Sequence, residues 1–259
     1  MNSASKKAIL VVSFGTSYEN TRKLTIEAIE HDIADAFPAC PTYRAWTSKM
    51  IIAKLKKRDG LTIHTVKEAL EQMLLDGITD VIVQPTHVIN GIENDQMKAD
   101  ALSFRDRFSS IVFGNPLLTT EEDNQAIVRV VADEFRDMDP DTALVLMGHG
   151  TEHYANTVYA ALDYRFKDTG HKNIFLGTVE AYPALDSLLR AADSFHPKKI
   201  VLAPFMIVAG DHAQNDLAGA NPDSWMNRLS SEGYEVTPVL KGLGEYPGIR
   251  AMFVEHARE

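Results

Sequence analysis

Short apolar runs alternate along the chain with longer stretches in which apolar positions recur at helical spacing. The runs are rich in β-branched residues and apolar at consecutive positions, as in AILVVSF and TALVLM. Such runs are typical of strands buried on both faces of a parallel sheet. The predicted strands are residues 8–14, 42–46, 79–86, 110–114, 142–147, 173–179, 198–206 and 235–239.

The stretches between these runs have the spacing of amphipathic helices. Residues 66–74 and 184–192 each place apolar side chains three or four positions apart, and Pro183 stands where the second of these helices should begin. Further helices are expected at 18–36 and 245–258, the last of which could cross back to the first half of the chain. Strands alternating with helices predict an α/β fold, with parallel sheets covered by helices.

The chain also contains an internal repeat. AILVVSFGT (8–16) matches ALVLMGHGT (143–151), and VIVQPTHVINGIE matches IVLAPFMIVAGDH without a gap. Two matches in the same order indicate two similar Rossmann-like lobes, each a parallel sheet flanked by helices. We predict an N-terminal lobe at 1–130 and a C-terminal lobe at 131–259. In such sheets, ligands bind beyond the carboxyl ends of the strands.

Differences between the two halves of the repeat fall at these strand ends. Phe14 stands where the second lobe has His149, and Glu93 stands where it has His212. The second lobe therefore carries imidazoles at two strand ends where the first carries a phenyl ring and a carboxylate.

A third candidate follows the second strand of the C-terminal lobe. Glu180 lies there. The number of residues that separates AILVVSFGT from ALVLMGHGT, applied to this position, matches Glu180 with Ala45. Two imidazoles and one carboxylate at neighbouring strand ends suit a borderline divalent metal and leave coordination positions open. Each has a structural alternative, because Glu180 could cap the helix after Pro183 and His149 could hydrogen-bond a backbone carbonyl.

Other residues at the strand ends are candidates for contact with a ligand. Glycines on both sides of His149 would let the backbone lie close to a broad, flat molecule. Alternatively, the turn before residue 18 could cap a helix, and His87 could be a buried core histidine. His153 is not expected to share a helix with His149. The predicted substrate-contacting residues are Phe14, Gly15, Thr16, Ser17, His87, Gly148 and Gly150.

Composition narrows the functional classes. A net charge of −10 argues against nucleic acid as a partner. The single cysteine, Cys40, excludes an intramolecular disulfide and a thiolate metal cluster, which fits a reducing cytoplasm. No run approaches the roughly 18 apolar residues of a membrane span, and the Lys6-Lys7 start lacks a signal-peptide cleavage site. SFGTS lacks the length and the lysine of a P-loop.

Together these motifs resemble those of a known enzyme family. VVSFGTSYENT, LMGHGTEH, GTVEAYP, MIVAGDHAQND and GLGEYPGIRAMF are similar to segments of the anaerobic sirohydrochlorin cobaltochelatases, and with the other matching segments they cover nearly the whole chain. These are class II chelatases of cobalamin biosynthesis with a ferrochelatase-like fold. The resemblance implies an active site in a cleft between two lobes, and ATP-independent insertion of Co(II) into sirohydrochlorin.

The resemblance also implies roles for individual residues. His149 would accept a pyrrole proton and bind the metal, with Glu180 and His212 as further ligands, and Glu93 would act from the opposite lobe. No cofactor is implied beyond the Co(II) substrate ion. Sirohydrochlorin and Co(II) are the expected partners, no membrane is implied, and a homo-oligomer is left open. The alternatives are a tetrapyrrole or metal carrier, a metal-dependent hydrolase, or a chelatase that uses Fe(II) or Ni(II).

One property opposes binding of such a carboxylate-rich substrate. The chain is itself net negative, so long-range electrostatic steering should be unfavourable. We therefore expect locally positive groups near the site, with Arg44, Lys49 and the Thr16-Ser17 turn as candidates.

Overall fold

A computed structural model describes residues 5–258, which form two compact units. The first unit extends through Thr119 and resumes at Pro247, and the second is Thr120–Tyr246. The elements of the first unit are β1 (Lys7–Ser13), α1 (Glu19–Leu24), α2 (Ile26–Ala36), β2 (Thr42–Trp46), α3 (Lys49–Asp59), α4 (Val66–Leu75), β3 (Asp80–Pro85), α5 (Ile92–Leu102), β4 (Ser110–Phe113) and α10 (Pro247–His256). Those of the second are α6 (Glu121–Glu134), β5 (Thr142–Gly148), α7 (Thr157–Asp168), β6 (Ile174–Thr178), α8 (Leu185–Ala192), β7 (Lys199–Pro204), α9 (Trp225–Ser231) and β8 (Glu235–Pro238).

Each unit contains one four-stranded parallel sheet, and the two sheets have the same strand order. The first sheet runs β2-β1-β3-β4 and the second runs β6-β5-β7-β8. The central strands are buried on both faces, since residues 8–12 of β1 are fully inaccessible and β5 is buried throughout. The predicted α/β fold of two similar units is confirmed, and every predicted strand matches the structure to within two residues at each end.

Helices cover the sheets with the apolar stripes that the sequence indicates. Leu70 of α4 packs with Leu10 and Val83 in the first core. Leu188 of α8 packs with Val145 in the second. No helix among residues 5–258 has the length and apolar character needed to cross a bilayer.

Strand register identifies the equivalent positions of the two units. Trp46 pairs with Ser13 in the first sheet, as Thr178 pairs with Gly148 in the second. Glu180, two residues beyond Thr178, is therefore equivalent to the residue two beyond Trp46, which is Ser48. The match of Glu180 with Ala45 was wrong, because the connection between the first two strands is shorter in the second unit.

The junction between the units comes before residue 130. The hydroxyl of Thr120 accepts a hydrogen bond from the Asp123 amide (3.1 Å), and the Asp123 carboxylate accepts one from the Thr120 amide (2.8 Å). This capping box starts α6 at Glu121, whose carboxylate pairs with Arg165 of α7 at 2.7 Å. All of α6 therefore belongs to the second unit.

The last helix belongs to the first unit. Within that unit, α10 packs on α2, and Arg250 Nε donates to Asp32 Oδ2 at 2.6 Å. The helix begins at Pro247, two residues after the predicted start.

Two other helix predictions need correction. The helix expected at 18–36 is divided at Thr25, where the backbone leaves helical geometry (φ −121°, ψ −77°) and the hydroxyl donates to the Thr21 carbonyl. Tyr18 is the N-cap of α1. The N-cap of α8 is Ala184, so Pro183 precedes this helix and Glu180 does not cap it.

Candidate functional site

Three polar side chains meet at the carboxyl edge of the second sheet. His149, Glu180 and His212 each offer one metal-ligating atom, and these atoms all lie within 4.8 Å of one another. Their side chains are partly exposed, at 48%, 52% and 31% respectively. Two imidazoles and a carboxylate at this spacing form a donor set for a borderline divalent cation.

The topology of the sheet accounts for this grouping. His149 directly follows β5, Glu180 lies two residues beyond β6, and His212 follows β7 after a short loop. These three strands are neighbours in the order β6-β5-β7. Parallel strands end at the same edge, so residues far apart in the chain come together there.

A backbone hydrogen bond joins two of the loops that carry the site. The amide of Glu180 donates to the carbonyl of His149 at 2.9 Å. Gly150 adopts φ +86°, and a Cβ there would lie 2.8 Å from the Ala181 amide nitrogen and from Thr178 Cβ. The positive φ and this close approach both require glycine beside His149.

The imidazole of His149 is oriented by its own loop. Its Nδ1 lies 2.8 Å from the carbonyl oxygen of Gly150 and 3.6 Å from Glu180 Oε2. A carbonyl can only accept a hydrogen bond, so in the neutral imidazole this contact places the proton on Nδ1 and the lone pair on Nε2. The hydrogen bond from His149 to a backbone carbonyl, which the sequence offered as the structural alternative, is thus present. It leaves the other ring nitrogen available for proton transfer or metal binding.

The imidazole of His212 has a different partner. Its Nδ1 lies 2.6 Å from Asp216 Oδ2, and its Nε2 lies 3.9 Å from Glu180 Oε1. The rings of His149 and His212 meet edge to face, with centroids 4.6 Å apart. Asp216 was not identified from the sequence, although its i+4 spacing from a histidine was a visible signal.

The separation of the donor atoms indicates whether all three could bind one ion. Metal–nitrogen and metal–oxygen bonds are about 2.1 Å long, so two ligands of one ion lie at most about 4.2 Å apart. The three donor atoms lie within 4.8 Å of one another, so at most small rotations of these partly exposed side chains would bring them to bonding distance of one ion.

His153 does not belong to the group. Its Nδ1 accepts a hydrogen bond from the Ala155 amide at 3.2 Å, and its ring packs against that of Tyr154 with centroids 4.1 Å apart and planes tilted by 38°. It caps the 3₁₀ turn Tyr154–Asn156.

The corresponding strand end of the first unit carries no imidazole. Phe14 is 44% exposed, Gly15 has φ +104°, and Thr16 is buried. The carbonyl of Ser17 accepts a hydrogen bond from Arg58. A Cβ on Gly15 would lie 2.5 Å from the ring of Trp46, so this turn packs as closely as its counterpart at Gly150.

His87 is buried in the first unit, just beyond β3. Both ring nitrogens lack a hydrogen bond of normal geometry within the described chain, as does Asn94 Oδ1. Burial lowers the pKa of His87 to about 4, and its neighbour Asn94 offsets only part of that effect. The imidazole is therefore neutral at physiological pH.

Glu93 lies in the first turn of α5, after Gly91. A carboxylate is favourable there because of the positive end of the helix dipole. It occupies the position that His212 occupies in the second unit, since β3 and β7 have the same register against β1 and β5.

Arg44 is not available to bind substrate carboxylates, contrary to the expectation from the sequence. Its guanidinium is engaged by Glu30 through both Nε and Nη2, and Glu27 lies 3.7 Å away. Lys49 begins α3 and is exposed.

Comparison with known proteins gives a match over the length of the chain. Residues 7–259 match the family model described as cobalt chelatase (CbiK). The chain is 40% identical to the sirohydrochlorin cobaltochelatase of Salmonella typhimurium over 254 residues, which is 98% of this chain and 96% of that protein. It is 32% identical to the sirohydrochlorin cobaltochelatase CbiKC of Nitratidesulfovibrio vulgaris, covering 97% of this chain and 89% of that one.

Solved structures share the fold at much lower sequence identity. SirB from Bacillus subtilis with Fe³⁺ is similar with a TM-score of 0.65 and 14% identity, covering 98% of this chain and 95% of that one. The cobalt complex of the sirohydrochlorin chelatase SirB from Bacillus subtilis subspecies spizizenii has a TM-score of 0.63 and 13% identity, covering 98% and 94%.

Proposed function

The chain belongs to the cobalt chelatase (CbiK) family, and from this we propose that it inserts Co(II) into sirohydrochlorin without ATP, as a step of cobalamin biosynthesis. The observation that carries the proposal is the His149–Glu180–His212 group at one sheet edge. It lies in a chain that is similar to a sirohydrochlorin cobaltochelatase over 98% of its length.

The reaction exchanges two N–H bonds for metal–nitrogen bonds. Co(II) and the free macrocycle give cobalt-sirohydrochlorin and two protons, so neither an oxidant nor a phosphate donor is needed. The protein must hold the cation, remove the pyrrole protons and hold the ring. No cofactor is expected beyond the Co(II) substrate ion.

His212 and Glu180 are proposed to hold the incoming Co(II), with His149 completing the set. The anionic carboxylate offsets part of the cost of taking a dication out of water. Since Nε2 of His149 carries a lone pair, this ring is also the proposed base for a pyrrole proton. Passing the cation to the macrocycle frees that nitrogen for the proton.

Glu93 is proposed as a second acid–base group. Its carboxylate would relay a proton or hold a water molecule of the ion. Phe14, Gly15, Thr16, Ser17 and His87 of the first unit are proposed to contact the macrocycle, as are Gly148 and Gly150 of the second. With Arg44 neutralised by Glu30, backbone amides and hydroxyls of these turns would receive the substrate carboxylates. A cytoplasmic setting is proposed on the single free cysteine.

A turnover assay tests the proposal. Purified protein is mixed with excess sirohydrochlorin and Co(II), and the visible spectrum of the macrocycle is followed with time. We expect many equivalents of product per protein, and loss of this turnover in His149→Ala. His31→Ala is the matched control, because His31 is exposed on α2.

Two outcomes would contradict the proposal. A spectral change that stops at one equivalent of macrocycle per protein would indicate a carrier. The absence of any change would exclude sirohydrochlorin as the substrate. Parallel assays with Fe(II) and Ni(II), each in competition with Co(II), identify the preferred ion. That experiment is needed because affinity for nitrogen and oxygen ligands rises towards copper regardless of cellular use.

A further inference from the structure

We propose that Asp216 is a positioning residue that fixes the imidazole of His212 in its metal-binding tautomer. Its Oδ2 lies 2.6 Å from Nδ1 of His212, the nitrogen that faces away from Glu180. The identity of the ion rests on the proposed function, whereas the orientation of the ring does not.

The local backbone brings the two side chains to the same face. Residues Ala213–Leu217 form a π-helical turn in which the Ala218 amide donates to the Ala213 carbonyl. Ala213 and Leu217 are fully buried and hold this turn against the unit. His212 and Asp216 each precede one of these buried residues, so both lie on the partly exposed side. Such turns interrupt helices frequently at functional sites.

The hydrogen bond determines which nitrogen of His212 is free. An ionised carboxylate can only accept a hydrogen bond, so in the neutral imidazole this contact places the proton on Nδ1 and the lone pair on Nε2. Nε2 lies 3.9 Å from Glu180 Oε1, which directs that lone pair towards the group that would hold the ion. Carboxylates that receive the second N–H of a ligating histidine act in this way in metal sites generally.

The two histidines of the site are held by different means. Nδ1 of His149 faces a backbone carbonyl, which no substitution removes, whereas Nδ1 of His212 depends on one side chain. The ring of His212 also packs edge to face on that of His149. Freeing His212 would therefore disturb one ligand directly and the packing of the other indirectly.

Binding of Co(II) alone gives the first test, since it requires no macrocycle. Co(II) is titrated into the protein while its visible d–d absorption is recorded, for the wild type, Asp216→Asn, Asp216→Ala and Asp216→Glu. We expect the Asn and Ala variants to lose about 10- to 100-fold in affinity and to change the spectrum. Asp216→Glu should recover part of the loss, because it restores a carboxylate. Asp223→Asn, an exposed site in the same unit, is the control for the change of charge.

The tautomer itself gives the second test, without metal or activity. Nitrogen-15 chemical shifts of His212 should report Nδ1–H in the wild type and a mixture with Nε2–H in Asp216→Ala. Circular dichroism of the variants checks that the unit remains folded. An Nε2–H tautomer in the wild type would overturn the proposal, as would unchanged affinity and spectrum in Asp216→Asn.

Failure of the proposed function would look different. Wild-type protein that binds Co(II) and gives no turnover with sirohydrochlorin would contradict the chelatase, and the effect of Asp216 on binding would still be measured. If turnover is present, the variants should raise KM for Co(II) while leaving KM for sirohydrochlorin unchanged. A rise in KM for sirohydrochlorin alone would count against a role through His212.

Discussion

The two units share a framework down to single hydrogen bonds, but carry different chemistry on it. The Ser48 amide donates to the Phe14 carbonyl in the first unit, as the Glu180 amide donates to the His149 carbonyl in the second. Each strand end continues into a glycine with positive φ, Gly15 or Gly150. The strand pairing and the turns are therefore independent of the side chains that follow the strands, and chemistry can differ there without change of fold.

The largest expected difference between the units is at the end of their first strands. His149→Ala should lower kcat by about 10²- to 10⁴-fold, because the proposed proton acceptor is lost. Phe14→Ala, at the equivalent position, should act mainly by raising KM for sirohydrochlorin. Steady-state kinetics on both variants checks this. Equal losses of kcat would contradict the assignment of the chemistry to the second unit.

The shared glycines should be equally sensitive. Gly150→Ala and Gly15→Ala should each lower the free energy of unfolding by about 2–5 kcal/mol, through the positive φ and the close contacts that a Cβ would make. Urea denaturation measures the change. Gly170→Ala is the control, because Gly170 also has positive φ (+97°) but no atom lies within 4 Å of its Cβ position. Gly170→Ala should lower the free energy of unfolding by a smaller amount, which comes from the positive φ alone.

His87 should make the stability of the first unit dependent on pH. The folded protein keeps this imidazole neutral down to about pH 4, whereas the unfolded chain takes up the proton near pH 6.5. The unfolded state then binds more protons, so the free energy of unfolding falls as the pH falls through this window, by about 3 kcal/mol in total.

The His87→Met variant tests this effect, because the same position relative to the third strand of the second unit is Met206. Replacing this buried imidazole should flatten the dependence of stability on pH between 6.5 and 4. Chemical denaturation at several pH values gives the difference from the wild type. His31→Met makes the same change at an exposed site. Parallel curves for wild type and His87→Met would contradict the prediction.

The smallest effect on stability is expected from substitutions at the equivalent positions Ser48 and Glu180. Ser48→Ala should cost about 0.5–1 kcal/mol of stability, since its hydroxyl accepts a hydrogen bond from the Ile51 amide at the start of α3. It should leave Co(II) affinity unchanged. Glu180→Ala should weaken the binding of Co(II) and leave the free energy of unfolding nearly unchanged, because this carboxylate is 52% exposed and caps no helix. Urea melts and Co(II) titrations on the two variants distinguish these effects.

The framework could be predicted from the sequence because burial determines it. Strands such as β5 are apolar at nearly every position, and that pattern is visible without knowledge of the rest of the chain. The candidate ligands His149, Glu180 and His212 could be proposed because each follows such a strand. Parallel strands bring their carboxyl ends to one edge, whatever the length of chain between them.

The remaining errors concern contacts that leave no periodic signal. The break in the helix at Thr25 depends on one side-chain hydrogen bond, and the pairing of Arg44 with Glu30 joins a strand to a helix. Asp216 lies on a short π-helical turn outside the predicted helices, so the sequence pattern did not assign its i+4 spacing from His212 to a helix. The match of Glu180 with Ala45 failed because connections of different length do not preserve a constant offset.

The position of α10 has a consequence for the order in which the chain can fold during synthesis. The second unit is inserted in the sequence of the first, so all of its residues are synthesised before Pro247–His256. Until then α2 lacks the neighbour that covers it, and Asp32 lacks Arg250. The unit whose synthesis begins first is therefore the last to have all of its residues, and its contact between α2 and α10 cannot form until the second unit has been synthesised.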